Sequence, residues 1–198
     1  MRVTQSDILS KVADVATFSD LCENFARKYN FPVMWLYAIM YFESAHTMSP
    51  SIRGGYQNKY VGLIQFGSGA ASDLGTTQYE LANMTQVEQL YYVIAYFEMW
   101  LKTYKVSTVK SFADLYTLVL YPHNFVYDNS EQWSIGQQAG VLYQNGVLSK
   151  DTINKFFYDN FQTTLADRIS FAAKKNFEIF FFALLFLILS YTIFKALY

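Results

Sequence analysis

A chain of 198 residues is long enough for one domain with a real core and an additional segment. Hydrophobic residues make up 53% and aromatics 19%, high for a globular domain, while a net charge of −1 gives no long-range field to gather nucleic acid. One cysteine, Cys22, excludes an internal disulfide; two histidines without HExxH or CxxC spacing argue against a metal centre, and no cofactor is expected.

In chain order, the start, MRVTQSDILSKVADVATF, has no apolar stretch of the kind a secretory leader carries. Residues 7 to 29 show apolar residues at helical spacing and predict one or two amphipathic helices, with Cys22 as a core residue. After Pro32 come ten unbroken apolar residues, Val33 to Phe42, which predict a helix buried on every side. That helix runs into Glu43. Residues 47 to 60 carry Pro, Ser, Gly and Asn and read as loop and turn. The stretch YVGLIQFGSGAASDLG, residues 60 to 75, is short of bulk, and its glycines imply a close approach of backbone to some other group.

Residues 76 to 104 read as strongly helical, with Thr85 as N-cap and Glu88 completing a capping box. VKSFADLYTLVLYP reads as a short helix ended by Pro122, residues 123 to 148 as mostly loop, and residues 149 to 176 as helix capped by Ser149. The last 22 residues, 177 to 198, are apolar apart from Glu178 and Lys195. As a helix they would extend about 33 Å, near the thickness of a bilayer core, and read as a membrane anchor, with a buried core helix as the other reading. The expected fold class is therefore all-α (α+β at most), with at most a small hairpin near residues 54 to 66. The expected segments are a domain over 1–160, a linker helix over 161–176 and the anchor over 177–198.

Glu43 stands out on physical grounds alone. A helix C-terminus disfavours negative charge, and Trp35, Tyr41 and Phe42 nearby would desolvate a carboxylate. Both effects raise its pKa, which suits a general acid for glycosidic cleavage; a solvated helix-end glutamate is the plain alternative.

YFESAHTMSPSIRG, then YVGLIQF, then AASDLG, resembles the lysozyme-like superfamily, specifically its lytic transglycosylases. Glu43-Ser44 matches that family's Glu-Ser at the end of an apolar helix. Gly62-Leu63-Ile64-Gln65 matches its Gly-Leu-hydrophobic-Gln element, and Ala70, Ala71, Leu74 and Gly75 match the helix that follows. MTQVEQLYYVIAYF, ADLYTLVLYP and GVLYQNGVLSKDTI resemble the downstream part of transglycosylase domains in bacteriophage virion proteins, so the likeness covers about residues 28 to 157. Where many bacterial members carry Tyr-Asn-x-Gly, this chain has LVLYPHN, with Tyr121 standing where that tyrosine would be.

The resemblance implies a peptidoglycan lyase with a lysozyme-like helical domain. Glu43 would be the catalytic acid and base. Ser44, Gln65, Gly62, Tyr60 and Tyr121 would meet the substrate, and Tyr56 is a further aromatic for packing on sugar faces. The open alternatives are a hydrolytic lysozyme, which would need a second carboxylate or a positioned water, and a non-catalytic glycan-binding or structural membrane protein. The implied partners are peptidoglycan glycan strands, a lipid bilayer through residues 177–198, and other virion proteins, with no nucleic acid. Lys174 and Lys175 favour a cytoplasmic domain, whereas peptidoglycan lies outside the cytoplasmic membrane. Anchorage in the lipid layer of a phage particle would reconcile the two; the bacterial inner membrane is the other location.

Overall fold

Side-chain caps set most of the helix starts. The computed structural model describes residues 2–134 and 147–163. In it, α1 (Gln5–Leu9) opens on a Thr4/Asp7 capping box and α2 (Val15–Tyr29) on Asp14, whose carboxylate accepts from the Thr17 N–H. Helices α5 (Gln78–Ala82) and α6 (Gln86–Thr103) open on the boxes Thr77/Glu80 and Thr85/Glu88, and α8 (Lys150–Asn160) on Ser149/Thr152. Helix α7 (Phe112–Leu120) opens on Ser111, and α4 (Ser68–Asp73) follows Gly67 without a side-chain cap. Each such cap satisfies an otherwise unpaired N–H and is worth about 1 kcal/mol.

Helix α3 (Val33–Glu43) has no side-chain cap and is held by burial instead. Seven consecutive residues, Met34 to Met40, are buried, and the helix packs against α1, α2 and α7. Phe18 stacks on Tyr37 and Phe31 on Trp35, tying α3 to the α2 side of the core. Residues of this size contribute roughly 1.5–3 kcal/mol each when buried, so α3 is the post around which the domain is assembled. Cys22 is fully buried, and desolvation pushes its thiol pKa well up, leaving it an inert core residue.

The strands are short. β1 (Arg53–Gly54) pairs antiparallel with β2 (Tyr60–Val61) in the register Arg53↔Val61, across a 3-10 turn at Tyr56–Asn58. This is the hairpin expected near residues 54 to 66. A second antiparallel pair, β3 (Trp133–Ser134) with β4 (Val147–Leu148), lies inside the stretch read from sequence as loop. Strands of two residues show no alternation to detect; burial of Trp133 and Leu148 fixes them. A 3-10 segment, Pro122–Val126, follows α7. The architecture is mostly helical with small antiparallel sheets, the class expected from the elements read in chain order.

The helix expected over 149–176 stops at Asn160. Phe161 is extended, buried, and pairs with Val3: the Val3 N–H donates to Asn160 O at 2.9 Å and the Gln162 N–H to Val3 O at 2.7 Å. The chain's start thus closes over its helical end and diverts residues 161–163 from the expected linker helix. Met1–Thr163 form one unit of the chain. The rest of that linker and the anchor over 177–198 lie outside the described residues, among which no helix is long and apolar enough to cross a membrane.

Candidate active site

Glu43 is the last residue of α3, where the apolar run of that helix delivers it into a wall of aromatics. Phe42 packs edge-on against Phe156 and Tyr116, with ring centroids at 4.9 and 6.1 Å. The hydroxyl of Tyr116, on α7, donates to Glu43 Oε1 at 2.5 Å. Glu43 Oε2 accepts no hydrogen bond from the described residues. Burial raises the Glu43 pKa from its ordinary 4.5 to about 7, and the bond from Tyr116 pulls the other way. Tyr116 is itself buried; desolvation, then the adjacent carboxylate, pushes its pKa well above 10, so it stays a donor at neutral pH. No charged group among the described residues adds to the Glu43 shift.

This arrangement can do one thing well. A carboxyl with one oxygen held by a phenol and the other unpaired near neutral pH can give a proton and take one back. Tyr116 lies within the segment ADLYTLVLYP, five positions before the Tyr121 singled out from the sequence. The signal was available: a tyrosine in the middle of an apolar helix needs a partner for its hydroxyl once buried. Tyr121 instead caps the C-terminus of α7, 38% exposed.

The chain leaving Glu43 is tightly shaped. Ala45, His46 and Met48 all have left-handed backbones, with φ of 50°, 67° and 55°. Such conformations are costly away from glycine and are held here by surrounding bonds. The Ser44 side chain is one of those bonds: it is fully buried, accepts from the Met48 N–H at 2.9 Å and donates to Tyr41 O at 3.3 Å. Ser44 therefore shapes the turn after Glu43, with no exposed hydroxyl for a substrate. His46 stacks on Tyr41, centroids 4.8 Å apart.

The loop leads into the glycine-rich hairpin, whose ladder extends one residue beyond the strands, the Gly62 N–H donating to Ile52 O at 2.8 Å. What comes close to Gly62 is Gln89 of α6. A Cβ at Gly62, where φ is +85°, would stand 2.3 Å from the Gln89 amide oxygen. That oxygen accepts from the Leu63 N–H at 2.7 Å, while the amide nitrogen donates to Pro50 O and Leu81 O. The buried Gln89 thus ties the hairpin, the loop at Pro50 and the end of α5 together, and the missing Cβ at Gly62 makes room for it. Gln65, also left-handed, donates to Gly62 O at 3.0 Å and Ile52 O at 3.4 Å. Its Oε1 sits over Gly54, where a Cβ would be 2.3 Å away, and accepts no hydrogen bond from the described residues. Tyr60 and Tyr56 are 37% and 66% exposed on the hairpin.

The structure therefore brings Glu43 together with Tyr116, while Gly62, Gln65 and Tyr60 stand on the hairpin that follows the loop leaving Glu43. No described hydrogen bond joins Gln65 to Glu43. Among the described residues, no group of His, Cys, Asp or Glu is arranged to hold a metal. A groove of about 620 Å³ lies elsewhere, between the 105–111 loop, the start of α7 and the 125–129 segment, and excludes Glu43. No protein-family model, curated protein or solved structure matches this chain.

Proposed function

We propose that the protein is a lytic transglycosylase of peptidoglycan, with Glu43 as its single acid and base. The observation that carries this reading is the Glu43 carboxyl itself: desolvated to a pKa of about 7, anchored through Oε1 by Tyr116, and bare at Oε2 among the described residues. In the forward step Glu43 gives its proton to the oxygen bridging N-acetylmuramic acid and N-acetylglucosamine, and the C1–O bond breaks. The carboxylate then takes the proton of the muramoyl 6-hydroxyl as that oxygen attacks C1 and closes a 1,6-anhydro ring. The net reaction uses no water and returns Glu43 to its protonated form. Gln65 Oε1, a bare acceptor on the hairpin, suits a sugar hydroxyl or acetamido N–H.

A hydrolytic lysozyme would pair the acid with a second carboxylate. No acidic residue among the described residues contributes to the Glu43 shift, and residues 135–146 contain no Asp or Glu, while Asp167 and Glu178 lie outside the described residues. Both points favour the transglycosylase. The sequence motifs around Glu43 and Gln65 support the same class. Membrane anchorage through 177–198 and a place in the lipid layer of a phage particle belong to this proposal, supported by the apolar composition of that segment. Digestion of purified peptidoglycan followed by mass spectrometry of the muropeptides tests it. The expected products carry 1,6-anhydromuramoyl ends; reducing ends would indicate a hydrolase, and undigested material a glycan-binding or structural protein.

A further inference from the structure

Phe161 is the point where two rows of aromatic rings meet. One row runs from Phe161 to Phe156, centroids 6.4 Å apart, then to Phe42 at 4.9 Å and on to Tyr116 at 6.1 Å. The other runs from Phe161 to Phe157 at 5.5 Å, to Phe112 at 4.4 Å and to Tyr116 at 5.5 Å. Both rows therefore end on the phenol that donates to Glu43, and the first passes through Phe42, the residue before Glu43 in α3. Phe161 also meets Tyr41 edge-on at 6.5 Å. Close-packed rings transmit a displacement, because a gap in one place forfeits contacts for all its neighbours.

Helix α8 does not supply this placement, since it ends at Asn160 and Phe161 is extended. The chain's start supplies it. The Val3 N–H donates to Asn160 O, the Gln162 N–H donates to Val3 O, and Arg2 Nε donates to Asp159 O at 3.3 Å. Held so, Phe161 is only 2% exposed. The elements packed on α3 carry Asp7 on α1, Asp20, Glu23, Arg27 and Lys28 on α2 and Asp114 on α7, and none of these contributes to the Glu43 shift. On α8, Lys155 pairs with Asp159, and in the loop after Glu43 His46 stacks on Tyr41. Exclusion of water is thus what holds the proton on Glu43, and the aromatic rows are the wall that excludes it.

We propose that Phe161, held in place by the pairing of Val3 with residues 160–162, is a positioning residue for the Glu43 site: it braces Phe42 and Tyr116 and keeps water from the carboxyl. The proposal rests on the geometry of Glu43 and Tyr116 and holds whichever reaction Glu43 performs.

The test is a carbon-13 titration of the Glu43 carboxyl in full-length variants. Phe161→Ala removes the ring common to both rows and is expected to lower the midpoint from about 7 by about one unit, a tenfold loss of proton affinity. Phe161→Leu refills the space and is expected to restore most of that loss. Val3→Pro removes one backbone bond of the pairing and leaves every ring in the chain; it is expected to lower the midpoint by a smaller amount, and it reads the same property should the alanine variant not fold. Leu101→Ala opens a cavity in α6, outside both rows, and is expected to lower the denaturation midpoint with the Glu43 titration unchanged. An unchanged Glu43 midpoint in the folded Phe161→Ala protein, or in Val3→Pro if that protein does not fold, overturns the proposal. So does an equal fall in Leu101→Ala, which would make the effect one of general loosening. A native midpoint near the ordinary 4.5 overturns both the brace and the desolvated acid on which the proposed function stands.

Discussion

Helix α7 engages two carboxylates drawn out of bulk solvent to different degrees, and they are handled in opposite ways. Near its start, Asp114 meets Lys150 at 2.9 Å, with side chains only 14% and 6% exposed, and Lys150 also donates to Phe125 O and lies 5.0 Å from the Phe125 ring centroid. Farther along, Tyr116 meets Glu43 with a neutral hydroxyl and no cation. A buried charge with a full-strength partner is a structural device that fixes α7 against α8. A half-buried carboxyl given only a phenol has its charged form penalised and its proton held until near pH 7, the state that the proposed proton transfer needs.

The largest expected effect falls on the chemical side of that contrast. Glu43→Gln keeps the shape and the Tyr116 hydrogen bond but removes the transferable proton, so lytic turnover should fall by about 10²–10⁴-fold with the fold intact. Retained lysis measured by turbidity loss of purified cell walls would remove the catalytic role. The structural side should show the reverse. Asp114→Ala strands Lys150 as an uncompensated buried charge and should cost about 3–5 kcal/mol in denaturant unfolding. A double change of Asp114→Leu with Lys150→Met should recover most of that loss. A small loss for the single variant would mean that the pair is not enclosed.

A third expectation concerns pH. The folded-state pKa of Glu43 lies above its unfolded value, so between about pH 4.5 and about 7 the folded protein holds more of this proton than the unfolded chain. The contribution is fully present below about 4.5 and is lost as pH rises through about 7. Over that window this residue's share of stability should decline by roughly 3 kcal/mol, and Glu43→Gln should abolish the decline. Smallest in size is Tyr116→Phe. Its hydroxyl lowers the Glu43 pKa, so removing it should shift the alkaline limb of the activity profile upward and cost about 1 kcal/mol of stability. A downward shift would show that Tyr116 does not donate to the carboxylate.

The elements that could be read in the sequence were those written in local code. The Thr85 and Ser149 caps and the all-apolar α3 are each specified by residues within a turn or two. What escaped depends on distant partners. The break at Phe161 requires Val3, and the β3–β4 pair requires Trp133 and Leu148 to find burial together. The site shows the same division. Glu43 announces itself as a lone acid after ten apolar residues, but Tyr116 is one tyrosine among 17, and only the packing of α3 on α7 selects it. The glycines of residues 54 to 67 signal close approach, yet nothing local says that the visitors are Gln65, Gln89 and Tyr60 of the same chain.

The central claim is that burial without a counter-charge keeps the proton on Glu43 near neutral pH. The most direct measurement is a carbon-13 NMR titration of the Glu43 side-chain carboxyl in the full-length protein, assigned by its loss in Glu43→Gln. A midpoint of about 7 is predicted. A midpoint near the ordinary 4.5 would show a solvated, ionised glutamate and contradict the account.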